Sequence, residues 1–294
     1  MQEIHTPVLT EELKVLLNLK PGDNAVDATL NGGGHARMML ELIKPGGKVL
    51  GIDQDKSMIE RMEGDKNITA IWGNFKDIDE IIKKLGFNKI KAVLFDLGMS
   101  RWHLEQSGRG FSFQKPEEAL FMNLNKKSAN TAAEILNGYP EDRLAEIFKN
   151  FGQEPKARLF AKKIMEFRKK QPAYRQGRRI ISVKDLLNAL GAQKPDGREK
   201  ILARIFQALR IAVNNELEAL TEALPKSFDA LDAGGRLAII SYHSLEDRIV
   251  KNFFSAVVGK KAIILTKKPK TASQEEIIKN PSSRSAKLRV LEKI

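Results

Sequence analysis

Asn24 to Asp53 reads NAVDATLNGGGHARMMLELIKPGGKVLGID. Ala25 to Ala28 is a short run suited to a buried strand. Gly32, Gly33 and Gly34 follow as a tight turn, where missing side chains let backbone approach a ligand closely. His35 to Ile43 has helical spacing, with Met38, Met39, Leu42 and Ile43 apolar. Val49 to Ile52 is a second apolar run, closed by Asp53, 20 residues beyond Gly33. Strand, glycine turn, helix, strand and acid is the layout of nucleotide-binding α/β units, whose acid meets a ribose hydroxyl. The dinucleotide fingerprint is incomplete, because Arg37 stands at its third glycine. A glycine-rich turn in another kind of α/β domain stays open at this point.

The pattern extends on both sides. Pro7 to Leu19 predicts an amphipathic helix, with Val8, Leu9, Leu13, Leu16 and Leu17 on one side. Asp55 suits the N-cap of a helix over Lys56 to Glu63. Ile68 to Trp72 predicts a third strand, and Phe75 after it is either a cover for a flat ring or an ordinary core aromatic. Ile90 to Phe95 predicts a fourth strand that ends in Asp96-Leu97-Gly98-Met99-Ser100. An acid closing an apolar strand before a glycine turn marks the carboxyl edge of a parallel sheet, where ligands bind. No clear helical pattern follows Asp96 at once, so a site role is favoured over a helix cap. Gly234-Gly235 leads into a fifth strand, Arg236 to Ser241, with Tyr242 and His243 at the same edge. Ser244 and Asp247 have capping-box spacing for the next helix. Ala262 to Thr266 and Leu288 to Ile294 predict the last two strands.

Between Arg101 and Asn215 only turns and helical runs occur. Thr131 to Leu136, Glu141 to Lys149, Glu154 to Lys170 and Val183 to Leu190 predict helices, as does a long run from near Arg198 through Leu224. The expected organisation is an α/β sheet domain over 1–105 and 211–294, interrupted by an all-helical insertion over 106–210. Pro155 to Ile180 carries ten Lys or Arg against the single acid Glu166, with Tyr174 among Arg175, Arg178 and Arg179. Lys260 to the C-terminus carries ten basic residues against three acids. A solvated helix face usually mixes signs, so these excesses and the net charge of +13 point to a polyanionic partner.

Composition excludes several classes. No Cys is present among 294 residues, which removes disulfide and thiolate chemistry and fits a cytoplasmic location. The N-terminus lacks a signal peptide's regions, and no apolar run approaches the roughly 20 residues of a membrane span. Four histidines, His5, His35, His103 and His243, form no pair at ligand spacing, so no metal is expected. No glycine loop ends in Gly-Lys-Ser/Thr, which argues against a P-loop nucleotidase.

Two acids and a glycine turn on a parallel sheet can hold a nicotinamide dinucleotide or S-adenosylmethionine. The incomplete fingerprint, the Asp96-Leu97-Gly98 strand end and the basic patches favour the second. Seven segments then carry a resemblance. They are His5 to Val8, Asp27 to His35, Phe95 to Ser100, Arg109 to Phe113, Phe206 to Leu217, Ser241 to Arg248 and Asn280 to Arg289. With them the chain resembles the bacterial small-subunit (16S) rRNA cytosine-N4 methyltransferase family (RsmH, formerly MraW). That resemblance implies a class I, Rossmann-like methyltransferase domain with a helical insertion. It implies S-adenosylmethionine as cofactor, no metal, and 16S rRNA of the small ribosomal subunit or a late assembly particle as partner. It further implies cofactor contacts at Gly33, Gly34, His35, Asp53, Phe75, Asp96 and, more peripherally, His103. The chain departs from the family's pattern at Asn31, Arg101-Trp102-His103, Phe121-Met122-Asn123 and Lys200 to Arg204.

A cytosine amino nitrogen is a poor nucleophile, so alignment of reactants and an acceptor for its hydrogens are the needed devices. Asp96 is the first candidate acceptor and His243 the second. Tyr242 or Trp102 would stack on an unstacked base. Tyr174, Arg175, Arg178, Arg179 and Arg284 are the candidate RNA contacts. Two other readings stay open: an amino-methyltransferase acting on DNA, and an RNA-binding assembly factor without catalysis. A homodimer is likewise left open.

Overall fold

The computed structural model describes residues 7–62, 67–169, 179–192 and 197–294. In chain order its strands are β1 (Asn24–Asp27), β2 (Lys48–Asp53), β3 (Ile68–Trp72), β4 (Ile90–Asp96), β5 (Leu231–Ser241), β6 (Ala262–Ile264) and β7 (Lys287–Lys293). Its helices are α1 (Thr10–Leu17), α2 (Gly34–Ile43), α3 (Lys56–Glu60), α4 (Ile78–Leu85), α5 (Arg101–Glu105), α6 (Ala132–Gly138), α7 (Glu141–Asn150), α8 (Ala157–Lys169), α9 (Val183–Leu190), α10 (Glu199–Asn214), α11 (Glu216–Ala230), α12 (Ser244–Val257) and α13 (Gln274–Lys279).

Two compact units result: Met1–Ser100 with Leu217–Ile294, and Arg101–Glu216. The junctions expected at 105/106 and 210/211 therefore lie at 100/101 and 216/217. The long helix expected from Arg198 is two helices, because Asn215 adopts a left-handed conformation (φ 51) between α10 and α11. Asn is among the few non-glycine residues that enter this region readily, so apolar periodicity runs on while the backbone breaks. Three helices lie outside the sequence expectations. Two are short, α5 and α13; the third is α4, whose Ile78, Ile81, Ile82 and Leu85 do carry helical spacing.

The first unit is one seven-stranded sheet in the order β3-β2-β1-β4-β5-β7-β6. The first five strands are parallel, and β7 runs antiparallel to both β5 and β6. This is the Rossmann-like order expected of a class I methyltransferase domain. Buried on both faces, the central strands are nearly all apolar, as parallel strands must be. Side chains alternate between two core layers, as a period of two requires. Ala25, Leu94, Ala238 and Ile240 pack in one layer. Val26, Val93, Phe95, Leu237 and Ile239 pack in the other. Register places Val26 opposite Leu50 on β2 and Val93 on β4. Asp53 pairs with Trp72, and Asp96 with Ile240, so the acids end at one edge.

The second unit is helical. Leu144, Phe148, Phe160, Ile164, Leu186 and Leu187 are buried along α7, α8 and α9. Ser182 and Asp185 form a reciprocal capping box at the start of α9. Two of the basic residues of Pro155 to Ile180, Lys163 and Arg168, close helix ends, as does Arg198 outside that stretch. Lys163 Nζ donates to Leu190 O at 2.9 Å, and Arg198 donates to Gly191 O, both at the end of α9. Arg168 donates to Tyr139 O at 2.7 Å and to Leu136 O at the end of α6. Cationic donors on terminal carbonyls satisfy orphan acceptors and complement the helix dipole. No described helix is long and apolar enough to cross a membrane.

Candidate active site

The turn after β1 is shaped by its own polar groups. Asp27 Oδ1 accepts from Thr29 N–H at 3.2 Å. Asn31 (φ 46) and Gly33 (φ 74) both adopt left-handed conformations. A Cβ at Gly33 would stand 2.5 Å from Met62 Sδ, so glycine serves there for space as well as for φ. Asp53 ties this turn to the end of β2. Its Oδ2 accepts from Asn31 N–H and its Oδ1 from Asp55 N–H, each at 2.8 Å. Asp55 caps α3 as expected, accepting from Ser57 N–H at 3.0 Å. Phe75 follows β3 and meets Phe95 edge-on, with ring centroids 5.5 Å apart. It is half-buried, so one side belongs to the core and the aromatic alternative posed by the sequence is met in part.

Asp96 stands at the end of β4 with 1% of its surface exposed. Its backbone N–H donates to Thr29 Oγ1 at 2.6 Å, joining β4 to the turn after β1. Tyr242 OH donates to Asp96 Oδ1 at 2.8 Å, and His35 Nδ1 lies 3.6 Å from Asp96 Oδ2. His35 Nε2 lies 2.9 Å from Val8 O. A carbonyl only accepts, so that nitrogen carries hydrogen. The His35 ring, 3% exposed, is therefore an inner wall between Val8 and Asp96. Gly34 keeps Pro7 close, since a Cβ there would stand 3.0 Å from the proline ring.

Two expectations at the end of β5 need correction. Tyr242 is not a platform turned toward RNA, because its ring packs over Gly98 and its hydroxyl holds Asp96. The capping box of α12 is formed by His243 and Glu246, not by Ser244 and Asp247. Glu246 N–H donates to His243 Nδ1 at 3.4 Å, and Glu246 Oε2 accepts from the Tyr242 and His243 N–H groups. His243 Nε2 lies 3.1 Å from Glu246 Oε1 without a hydrogen bond between them, so it is Nδ1 that the helix end engages. Asp247 instead pairs with Arg289 through Nε at 2.7 Å and an NH2 group at 3.2 Å. Burial raises the Asp247 carboxyl, but the Arg289 hydrogen bonds and charge outweigh it and leave the pKa below the usual carboxylate value. Thr29, which takes the Asp96 N–H, and Glu246, which takes the Tyr242 N–H, are the residues here that sequence reasoning passed over. A histidine three residues before a glutamate was the one local signal, obscured because Ser, Thr, Asp and Asn are the usual caps.

The chain matches the family model described as the MraW methylase family over residues 2–294. The protein belongs to the MraW methylase family. It is similar to proteins named ribosomal RNA small subunit methyltransferase H from several bacteria. The one from Dictyoglomus thermophilum is 43% identical and aligns over 100% of this chain and 98% of its own. That from Heliobacterium mobile is 40% identical over 100% of both chains, and that from Bacteroides fragilis is 39% identical over 98% and 97%. Among solved structures, an rRNA methylase from Streptococcus thermophilus aligns over 100% of this chain and 99% of its own at 14% identity, with a TM-score of 0.42.

The remaining predicted residues of this methylase lie elsewhere. Trp102 and His103 belong to the helical unit on α5. His103 is 2% exposed, with its ring edge-on to both Trp102 and Phe111. Arg109 lies 5.5 Å over the Trp102 ring and 5.4 Å over Phe111, and donates to Asn123 O and Leu124 O. Trp102 is thus half-buried in a cation–π cluster rather than an open stacking surface. Asn123, in the divergent Phe121-Met122-Asn123 segment, donates to Asn125 O and Ser128 O and is buried. Arg179 and Arg284 are exposed. Tyr174, Arg175 and Arg178 fall outside the described residues, as does His5. Arg289, expected in the C-terminal basic patch, is held by Asp247, and Lys293 Nζ donates to Asp229 O and Leu231 O.

Proposed function

We propose that the protein transfers a methyl group from S-adenosylmethionine to the N4 amino group of a cytidine in 16S rRNA, at the decoding centre. The observation that carries this reading is Asp96. It is a buried carboxylate at the carboxyl edge of β4, fixed through Thr29 and Tyr242 beside the Asn31–Gly33 turn. The family match and the names of the relatives support a small-subunit rRNA substrate.

The residues present fit the cofactor. A turn with glycine at a crowded left-handed position admits close approach, and Asp53 supplies an acid at the end of the neighbouring strand. Gly33, Gly34 and Asp53 would hold S-adenosylmethionine, with the half-buried Phe75 beside it. When bound, it supplies a methyl on a sulfonium, whose bonding pair stays on sulfur as the amino nitrogen takes the carbon. Asp96 accepts hydrogen from the amino group, so the nitrogen lone pair is released toward the methyl and the proton has a destination. Because Asp96 is shielded from bulk water, that hydrogen bond is stronger than it would be in solution. Alignment of the two reactants supplies the larger share, up to roughly 7–11 kcal/mol. The exposed basic side chains of the helical unit grip RNA backbone.

Incubation with methyl-labelled S-adenosylmethionine and 30S particles, followed by nucleoside digestion, tests the reading. Label is expected in N4-methylcytidine, and Asp96→Asn should lower its rate of appearance by about a hundredfold, within the range for a lost general acid–base group. Label in another nucleoside, or preference for DNA over 30S particles, would overturn the assignment.

A further inference from the structure

Asp96 is flanked by groups from three parts of the chain. Thr29 takes its backbone N–H, His35 faces Oδ2 from α2, and Tyr242, after β5, donates to Oδ1. The tyrosine is in turn fixed on both sides. Its backbone N–H donates to Glu246 Oε2 at 2.8 Å. Its ring fills the space over Gly98, where a Cβ would stand 2.5 Å from Cε2 and 2.7 Å from Cζ. A ring so confined has its hydroxyl direction set by packing, not by a flexible side chain.

We propose that Tyr242 is a positioning residue for methyl transfer, its hydroxyl fixing the rotation of the Asp96 carboxylate and favouring the ionised form. The proposal rests on the role of Asp96 given above. Burial and then the Asp96 charge push the Tyr242 phenol well above its ordinary pKa, with Glu246 on α12 and Glu276 on α13 adding to the effect. His35 on α2 faces the same carboxylate. The phenol therefore keeps its proton at neutral pH and donates it, and the carboxylate is its acceptor. A hydrogen bond to the charged form favours that form. Gly98 belongs to the same device, since it makes room for the ring.

Tyr242→Phe keeps the ring and removes the donor. Its kcat should fall about ten- to hundredfold, the factor a hydrogen bond to a charged group is worth. KM for S-adenosylmethionine and for 30S particles should stay within about twofold, because the variant touches neither ligand. The acid limb of the kcat–pH profile should move to higher pH. Gly98→Ala, which displaces the ring, should reproduce both changes. The double variant Asp96→Asn/Tyr242→Phe should be no slower than Asp96→Asn alone, since residues acting through one group are not additive. Additive losses with an unmoved profile would overturn the proposal and leave Tyr242 a packing residue. A readout without turnover separates this from failure of the methylation reading. Tyrosinate absorbance is followed against pH, and the Tyr242 signal is isolated by subtracting Tyr242→Phe from the three-tyrosine protein. Asp96→Asn should lower the pH at which Tyr242 ionises. No change there would refute the contact even in an active enzyme, and a change in a protein that fails to methylate cytidine would refute only the reaction.

Discussion

At Asp53 the two carboxylate oxygens accept from Asn31 N–H and Asp55 N–H, so the side chain expected to meet a ribose also holds the turn and the start of α3. Asp53→Ala should therefore weaken S-adenosylmethionine binding by roughly 1.5–3 kcal/mol, as for a hydrogen bond involving a charged group. It should also lower the urea midpoint, because two N–H groups lose their acceptor. Calorimetry and urea titration on the same variant read the two effects apart. Reduced affinity with an unchanged midpoint would show that the turn is held by other contacts. The neighbouring Asn31, one of the positions at which the chain departs from the resembled family's pattern, has a left-handed φ of 46. The position demands a conformation that glycine takes freely and asparagine tolerates.

The junction of α12 with β7 is an element whose stability depends on pH. Asp247 on α12 and Arg289 on β7 make a two-point contact, and the Asp247 pKa is lowered in the folded protein. A carboxyl lowered on folding contributes stability that is present above its unfolded value, near 3.9, and is lost as pH falls through the folded value. Urea midpoints measured from pH 6 down to pH 2.5 should fall less steeply for Asp247→Asn than for the wild type. Parallel curves would mean the pair contributes nothing across that range. At the same N-terminal end of α12, His243→Ala should cost about 1 kcal/mol through loss of the cap. Its effect on kcat should be small compared with that of Asp96→Asn, because His243 Nδ1 is engaged by the Glu246 N–H. A loss of kcat as large as that of Asp96→Asn would restore His243 as the acceptor.

Across the whole molecule, a net charge of +13 invites the assumption that every basic residue of Pro155 to Ile180 meets phosphate. The helical unit divides them. Lys163 and Arg168 are spent on helix carbonyls, whereas Arg158, Lys162 and Lys169 are exposed at helical spacing along α8. Reversing Arg158, Lys162 and Lys169 to Glu should weaken RNA binding and flatten the plot of log affinity against log salt by roughly 0.7–0.9 per lost phosphate contact. Affinity for S-adenosylmethionine should be unchanged. Arg168→Glu should instead lower the unfolding midpoint. A salt slope unaltered by the triple reversal would assign the charge on α8 to solvation alone.

Much of this molecule is legible in local pattern. The strand runs, the glycine turn and the acids Asp53 and Asp96 at strand ends all follow from periodicities and backbone limits that act within a few residues. The sheet's acid-bearing edge follows too, because parallel strands place all their carboxyl ends together. Helix breaks at Asn215 and the His243–Glu246 cap were harder to see, since each uses a residue that less often plays that part. What no local pattern contains is the pairing of distant groups. Tyr242 and Asp96 are 146 residues apart, and Leu9 N–H meets Glu276 Oε1 across 267. Adjacency of β4 with β5, and of β5 with β7, brings such groups to one edge. Only then does packing decide that a tyrosine at a strand end buries its ring on Gly98 and turns its hydroxyl to a carboxylate. The reason is physical: a buried hydroxyl needs a partner, and only the assembled sheet determines which acceptor lies within reach.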